Sequence, residues 1–317
     1  MNGVLSDLGE RKIIQLVRAQ YGYGWPDDDA AYIDIGKEYL LITTDSISQS
    51  AHMPKGARWE SVGYFFAALN LSDIAAMGGK PEYLITAFTL PRKMRIDDLK
   101  RLEVGMKRCL EKYGVKLFGG DTKEGMEINL TGVAIGTVAK KNILRRDGVR
   151  KGDVVCVTGS LGKNGAGYYM WKKTGLRRWA ELLLDIEPRI DEGVLIAKSG
   201  ATAAIDLSDG LFSAILQLSK INRCGFEIDY PKVPIHYAAK SAGISTGVNV
   251  EDIALNFGGD YELLFTIQKS KLNHLLSEAK KNGIRVSVIG KVAGRKCMLV
   301  KDGKKVGIRK AGYEHFR

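Results

Sequence analysis

The residues through which this chain could do chemistry are aspartates placed at the ends of apolar runs. Ile42-Thr43-Thr44-Asp45, Phe118-Gly119-Gly120-Asp121-Thr122 and Ile205-Asp206-Leu207-Ser208-Asp209 each end a run of strand-forming residues in a carboxylate, and Asp27-Asp28-Asp29 precedes another. Asp73 follows Leu69 by four positions, so a helix over 60–78 carries it on or beside its apolar face, where a carboxylate needs a partner or a metal. Taken singly, Asp45, Asp121 or Asp206 fits a turn or cap residue. Several uncompensated carboxylates on one site repel one another and rise in pKa. Mg2+ takes oxygen ligands and usually draws one or two carboxylates, while phosphates fill other positions. Convergent aspartates therefore imply several metal ions and a polyphosphate.

Other chemistries lack their residues. His52, His236, His274 and His315 are too dispersed for a metal cluster, and no Ser-His-Asp or Cys-His signature is present. There is no Gly-x-Gly-x-x-Gly and no protein-kinase His-Arg-Asp with Asp-Phe-Gly. The glycine-rich stretch 159–167 has two readings: a close backbone approach to phosphate, or a tight strand-to-helix turn. No Gly-Lys-Ser/Thr completes a Walker-type loop there. Cys109, Cys156, Cys224 and Cys297 form no Cys-x-x-Cys pair and read as buried, reduced thiols.

The elements that must position the aspartates follow from periodicity. Residues 7–20 read as an amphipathic helix, a turn follows at Gly22–Pro26, and two strands follow Asp29, the second ending at Asp45. Residues 60–78 form the clearest helix, with Val62, Phe65, Phe66 and Leu69 on one face. A strand over 83–90, a helix over 97–113, a buried strand over 115–118 and an alternating strand over 127–138 complete a first unit. The basic connection 140–151 joins it to a second, with strands near 154–158, 201–205, 225–230, 263–267, 286–289 and 298–300 and helices after 210 and over 271–281. Interleaved strands and helices give an α/β (α+β) class with domains at 1–144 and 145–317.

At 317 residues, 45% hydrophobic and 26% charged, the composition is that of a soluble globular chain. No apolar run approaches the roughly 18 residues of a membrane span, and the expected location is cytoplasmic, with no membrane partner. The net charge of +12 fits a polyanion partner or a Lys-rich solvated surface. Scattered basic residues with little aromatic interleaving favour the second, so no nucleic-acid partner is expected.

Asp28-Asp29-Ala30-Ala31, Thr43-Thr44-Asp45, the block Asn70 to Gly79 (Asn-Leu-Ser-Asp-Ile-Ala-Ala-Met-Gly-Gly), Gly119-Gly120-Asp121-Thr122, Asp206-Leu207-Ser208-Asp209-Gly210 and Asp260-Tyr261-Glu262-Leu263-Leu264-Phe265-Thr266 together resemble the thiamine-monophosphate kinase family of the AIR synthetase-like (PurM-type) superfamily. The resemblance runs in order from about residue 5 to the closing Gly312–Phe316 stretch. It implies a PurM-like two-domain fold, with N-terminal sheets closing a barrel across a homodimer and nucleotide between the domains. It implies transfer of the ATP γ-phosphoryl group to thiamine monophosphate, giving thiamine diphosphate. By position, Asp29, Thr44, Asp45, Asp73, Asp121, Asp206 and Asp209 would hold Mg2+, and Gly120, Asp121, Arg146 and Ser208 would contact ATP. Asp121, Arg146 and Asp209 form the implied catalytic set. His52 and Phe316 would contact thiamine monophosphate, Phe316 by stacking.

The chemistry agrees with that reaction. A phosphate monoester has its second pKa near about 6, so the acceptor oxygen is anionic at neutral pH and needs no general base. The obstacle is repulsion between anions, met by metals and a cation such as Arg146. Two positions depart from the family pattern: Gly259 stands where a glutamate that contacts the acceptor is usual, and Pro26-Asp27 replaces Ile-Gly. The alternatives are another ATP-dependent enzyme of the superfamily, of cyclo-ligase or maturation type, and a basic nucleic-acid-binding protein.

Overall fold

A computed structural model describes residues 4–21, 27–309, Gly312 and Phe316. The expected turn at Gly22–Pro26, and Tyr313, Glu314 and His315 of the closing stretch, lie outside the described residues. In chain order the elements are α1 (Glu10–Tyr21), β1 (Ala31–Asp34), β2 (Glu38–Ser48), α2 (Gln49–His52), α3 (Trp59–Ala76), β3 (Lys80–Pro91), α4 (Ile96–Tyr113), β4 (Lys116–Gly125) and β5 (Asn129–Ala139). After a connection come β6 (Val154–Thr158), α5 (Lys163–Thr174), α6 (Arg177–Leu184), α7 (Ile190–Lys198), β7 (Ala203–Asp206), α8 (Leu211–Asn222), β8 (Phe226–Asp229), α9 (Tyr237–Thr246), β9 (Leu263–Ile267), α10 (Lys269–Lys281), β10 (Val286–Val292), β11 (Met298–Lys301) and β12 (Lys304–Gly307).

The strands form two mixed, open sheets, ordered β1-β2-β5-β3-β4 and β12-β11-β8-β10-β6-β9-β7. Among the named strands of the described residues, β3 pairs with β4 and β8 with β11 in parallel. Helix α3 is apolar nearly all round, as a helix buried on every side must be, and Phe66, Leu69, Leu71 and Ile74 are fully enclosed. It packs against β2, β3 and β5 on one side and against α4 and α7 on others. Strand β5 alternates between buried and half-buried residues, with the buried set in the same core.

Two strand boundaries differ from the sequence reading. The glycines at 119 and 120 do not end a buried strand: β4 runs through them to Gly125, paired in parallel with β3, and its residues from Lys116 to Glu124 are exposed. Glycine at 120 serves this pairing, since a Cβ there would lie 2.6 Å from the Thr86 carbonyl oxygen. Strand β2 continues past Asp45 to Ser48, paired with β5 throughout.

The halves are joined by a polar clamp beside a continuous apolar seam. Leu184, Ile186 and Ile190 of the second half pack into the core of the first. Next to them, Glu187 accepts hydrogen bonds from Tyr64 Oη of α3 (2.8 Å), from Lys112 Nζ (2.6 Å) and from Tyr113 Oη. Burial alone would raise its carboxyl, but the bonds from Lys112, Tyr113 and Tyr64 outweigh this and hold it below the ordinary range. Glu187→Ala orphans two phenols at the seam and is expected to cost about 2–3 kcal/mol at pH 7, read as a fall in melting temperature of several degrees. The depressed carboxyl contributes stability above its unfolded pKa of about 4.3. The difference between variant and wild type therefore shrinks as the pH falls below that value.

Candidate active site

Three aspartates meet where the two halves face each other. Asp29 precedes β1, Asp73 lies in the last turn of α3 and Asp206 ends β7, and one carboxylate oxygen from each lies within 4.8 Å of the other two. Asp73 and Asp206 are fixed by short hydroxyl bonds. Thr43 Oγ1 of β2 donates to Asp73 Oδ2 (2.6 Å), Ser72 Oγ of α3 donates to Asp206 Oδ2 (2.9 Å), and Ser208 Oγ donates to Asp206 Oδ1 (2.8 Å). The Asp206 backbone N–H reaches Asp29 Oδ1 at 3.4 Å.

These bonds give the Asn70–Asp73 block its physical content. Asn70 is fully buried; its Nδ2 donates to Phe66 O (2.9 Å) and its Oδ1 accepts the Asp45 N–H (3.2 Å), which fixes β2 beside the cluster. A Cβ at position 132 would sit 2.5 Å from the Asn70 side chain, so glycine on β5 makes room for it. Ser72 crosses to the second half, and Asp73 supplies the carboxylate. Sequence reasoning missed Asn70, Ser72 and Thr43 as positioning residues. Period-two alternation from the inward Leu41 would have found Thr43, which shares a strand face with Asp45.

The counter-charge is Arg146, delivered by the connection between the halves. Its Nη2 and Nε donate to Asp29 Oδ1 (2.7 Å) and Oδ2 (3.2 Å), and its Nη1 donates to Gln217 Oε1 (3.2 Å). The backbone is pinned as well, by Arg146 N–H to Asp28 Oδ1 (2.7 Å) and Asn222 Nδ2 to Arg146 O (2.7 Å). Burial opposes the guanidinium charge, but Asp29, with Asp206 and Asp73 behind it, holds the group protonated well above its usual range. This single cation does not balance the acids. Burial, then Asp206, Asp45 and Asp29, raise Asp73 well above the carboxylate range; burial and Asp29 push Asp206 up to about 6. Asp209 is also pushed up to about 6, by burial and then by Glu10 of α1.

The remaining candidates lie around this centre at different distances. Asp45 is an electrostatic neighbour of Asp73. Asp209 stands 4.0 Å from the Arg11 guanidinium of α1 and faces Arg146. Thr44 is exposed on the opposite face of β2, its hydroxyl donating to Gly132 O (2.9 Å). Gly120 and Asp121 lie on the exposed edge strand β4, with Asp121 Oδ2 3.4 Å from Lys123 Nζ. His52 ends α2, its Nδ1 accepting the Ser48 N–H at 3.1 Å. Phe316 is exposed, with a backbone φ of +64°. The structure therefore gathers Asp29, Asp73 and Asp206, with Asp45, Asp209, Ser208 and Arg146 beside them. Asp121 and Gly120 stand apart from that cluster within the chain.

The glycine-rich 159–167 segment makes a turn into α5. Asp260 of the second half accepts the N–H groups of Gly162 (2.7 Å) and Asn164 (3.4 Å), so the protein's own carboxylate occupies that helix start. Burial nevertheless pushes Asp260 up to about 7. Gly259 takes φ +87°, a conformation a glutamate there would adopt only under strain.

The donor set fits a hard divalent cation. Three convergent carboxylates, with the proton affinity of Asp73 and Asp206 raised by burial and by neighbouring acids, are oxygen ligands that suit a divalent ion. Asp29, Asp73 and Asp206 are the residues that would ligate it.

The AIR synthase related protein N-terminal domain matches residues 27–138 and the corresponding C-terminal domain matches residues 150–300. Fold and site thus define a two-domain protein of the AIR synthase related class. A thiamine-monophosphate kinase from Buchnera aphidicola subsp. Schizaphis graminum is 34% identical over 302 residues, 91% of each chain. Among solved structures, AaThiL complexed with AMPPCP and TMP has a TM-score of 0.87 at 28% identity, covering 99% of each chain. Thiamine monophosphate kinase from Aquifex aeolicus has a TM-score of 0.82 at 28% identity, covering 96% of this chain and 99% of that one. The chain belongs to the thiamine-monophosphate kinase family.

Carboxylate repulsion has a measurable sign. A raised native pKa means that stability falls as pH rises from the unfolded value of about 3.9 towards the native one. Asp73→Asn removes one repelling charge, so without divalent ions at pH 8 the variant is expected to be more stable than wild type, with the gap closing near pH 4. Mg2+ is expected to raise the wild-type melting temperature at pH 8 and to leave the variant nearly unmoved. A destabilised variant at pH 8 would contradict the repulsion.

Proposed function

We propose that this chain is a thiamine-monophosphate kinase, transferring the γ-phosphoryl group of ATP to a phosphate oxygen of thiamine monophosphate to give thiamine diphosphate and ADP. The observation that carries the reading is the seam cluster of Asp29, Asp73 and Asp206 with Arg146 beside it, in a chain of this family. Two anions must approach each other during the transfer, and the site collects what that requires: carboxylates to hold cations and one buried guanidinium.

Asp29, Asp73 and Asp206 form the inner part of the Mg2+ site, with Asp45, Asp209 and Thr44 around them. Mg2+ held there would supply positive charge to offset that of the phosphates. Arg146, now paired with Asp29, is placed to share its guanidinium with the nucleotide phosphates, and Ser208 stands beside Asp206 to contact them. Asp121 and Gly120 on β4 complete the nucleotide and metal contacts, and His52 and Phe316 bind the acceptor, Phe316 by stacking. The acceptor oxygen is anionic at neutral pH, so no side chain needs to remove a proton from it. Transfer is direct and in line, with no phosphoenzyme. Arg146, Asp121 and Asp209 are the residues acting closest to the transferred group.

The assembly belongs to the same reading: domains divide at 144/145, and a homodimer closes the first sheet into a barrel. Its support is an open sheet whose edge strand β4 leaves Leu117 49% and Phe118 70% exposed. A supply of ATP and thiamine monophosphate places the reaction in the cytoplasm.

Chromatography of a mixture with ATP, Mg2+ and thiamine monophosphate is expected to show thiamine diphosphate accumulating only when both metal and protein are present. No product from folded protein would reject the reading. Asp121→Asn is expected to lower turnover by on the order of 10²-fold or more with an unchanged melting temperature; full activity would remove Asp121 from the site.

A further inference from the structure

The segment Gly259–Glu262 is stitched to the loop that carries Asp206. Gly259 N–H donates to Ser208 O (2.7 Å), Tyr261 N–H to Leu207 O (3.3 Å), and Leu207 N–H to Glu262 O (2.8 Å). Two of its side chains are tied to the second half by hydrogen bonds. Asp260 caps the start of α5, and Glu262 receives a bidentate pair of bonds from Arg189 (2.6 and 2.7 Å) and the Thr158 hydroxyl (2.6 Å).

Between them Tyr261 adopts φ +50°, a left-handed conformation uncommon for a side chain of this size. Such a conformation persists where the surroundings over-determine it, and it clusters at functional sites. Here the bonds on either side impose it. Its effect is to send the ring the opposite way, across the seam onto the core of the first half, where it meets Phe65 of α3 edge to face at 6.1 Å. The phenol faces the acid centre: after burial, the groups that raise its proton affinity are the carboxylates of Asp45, Asp206, Asp73 and Asp209. Its O–H makes no hydrogen bond to any described residue. A donor has thus been carried by a left-handed backbone, tied to the Leu207–Ser208 loop, to the side of the seam that the acids face. Phosphate oxygens are strong acceptors of such a bond.

We infer that Tyr261 is a phosphate-contacting residue of the reaction, its hydroxyl donating to an oxygen of the phosphoryl group passing between nucleotide and acceptor. This rests on the phosphoryl-transfer reading above. The ring, wedged against Phe65, fixes where the donor stands. The hydroxyl adds a neutral donor within electrostatic reach of the acids, one that brings no charge to the cluster.

Tyr261→Phe keeps the ring and deletes the donor, whereas Tyr261→Ala deletes both. Steady-state kinetics with ATP and thiamine monophosphate are expected to show kcat lowered by on the order of 10²-fold in the phenylalanine variant. KM for each substrate should stay within about threefold and the melting temperature should be unchanged. The alanine variant should lose a similar factor in kcat and also melt lower. A fully active phenylalanine variant beside an impaired alanine variant would make the ring a packing element and overturn the inference. So would a phenylalanine variant whose loss lies in KM alone. Wild-type protein without thiamine diphosphate production would instead reject the parent reading, so the two failures are distinguishable.

Discussion

Carboxylate repulsion at the seam is the constraint around which the rest of the structure is arranged. Asp29, Asp73 and Asp206 come from three elements and two halves of the chain, and nothing in their mutual electrostatics favours the meeting. The structure holds them together by other means. Thr43, Ser72 and Ser208 each donate a hydroxyl bond to a carboxylate, and Arg146 neutralises one of them. Burial keeps water from screening the arrangement, which makes each bond stronger and the repulsion larger. The cluster is costly to the empty protein and is offset elsewhere, by the all-round burial of α3 and by the Glu187 clamp that fixes the halves against each other.

A site of this kind has a use where negative charge must be brought together. Phosphoryl transfer between two phosphates needs little covalent chemistry from the protein; it needs fixed positions and cations. Among the described residues, the aspartate cluster is met by the hydroxyls of Thr43, Ser72 and Ser208 and by the Arg146 guanidinium, with no histidine in it. That composition suits an acceptor already ionised at neutral pH. Carboxylates already held by Thr43, Ser72 and Ser208 would need little reorganisation to meet positive charge.

Much of this was legible in the sequence, for reasons that can be stated. Helix α3 announced itself through the apolar face of Val62, Phe65, Phe66 and Leu69, although the fold buries it on every side, and β9 through the largely apolar run at 263–267. The acids at 29, 73 and 206 stood out because each carboxylate lies next to an apolar element. The glycines at 119 and 120 misled because glycine marks both turns and close strand pairing, and only the partner Thr86 distinguishes them. Helix α9 escaped because it buries alanines, Ala238, Ala239 and Ala242, whose apolar signal is weak. Tyr261 could not be read at all, since its direction depends on a left-handed backbone that no local pattern encodes. The pairing of Ser72 with Asp206 lies 134 positions apart in the chain and required the fold.

The central claim is that the seam aspartates are the ligands of the cations that accompany the phosphates. Anomalous diffraction from crystals grown with Mn2+, a non-hydrolysable ATP analogue and thiamine monophosphate tests it most directly. The account predicts a strong manganese peak within bonding distance of Asp29, Asp73 and Asp206 together, beside the analogue's phosphates. Manganese bound to the analogue with none of these three carboxylates in its coordination shell would contradict it.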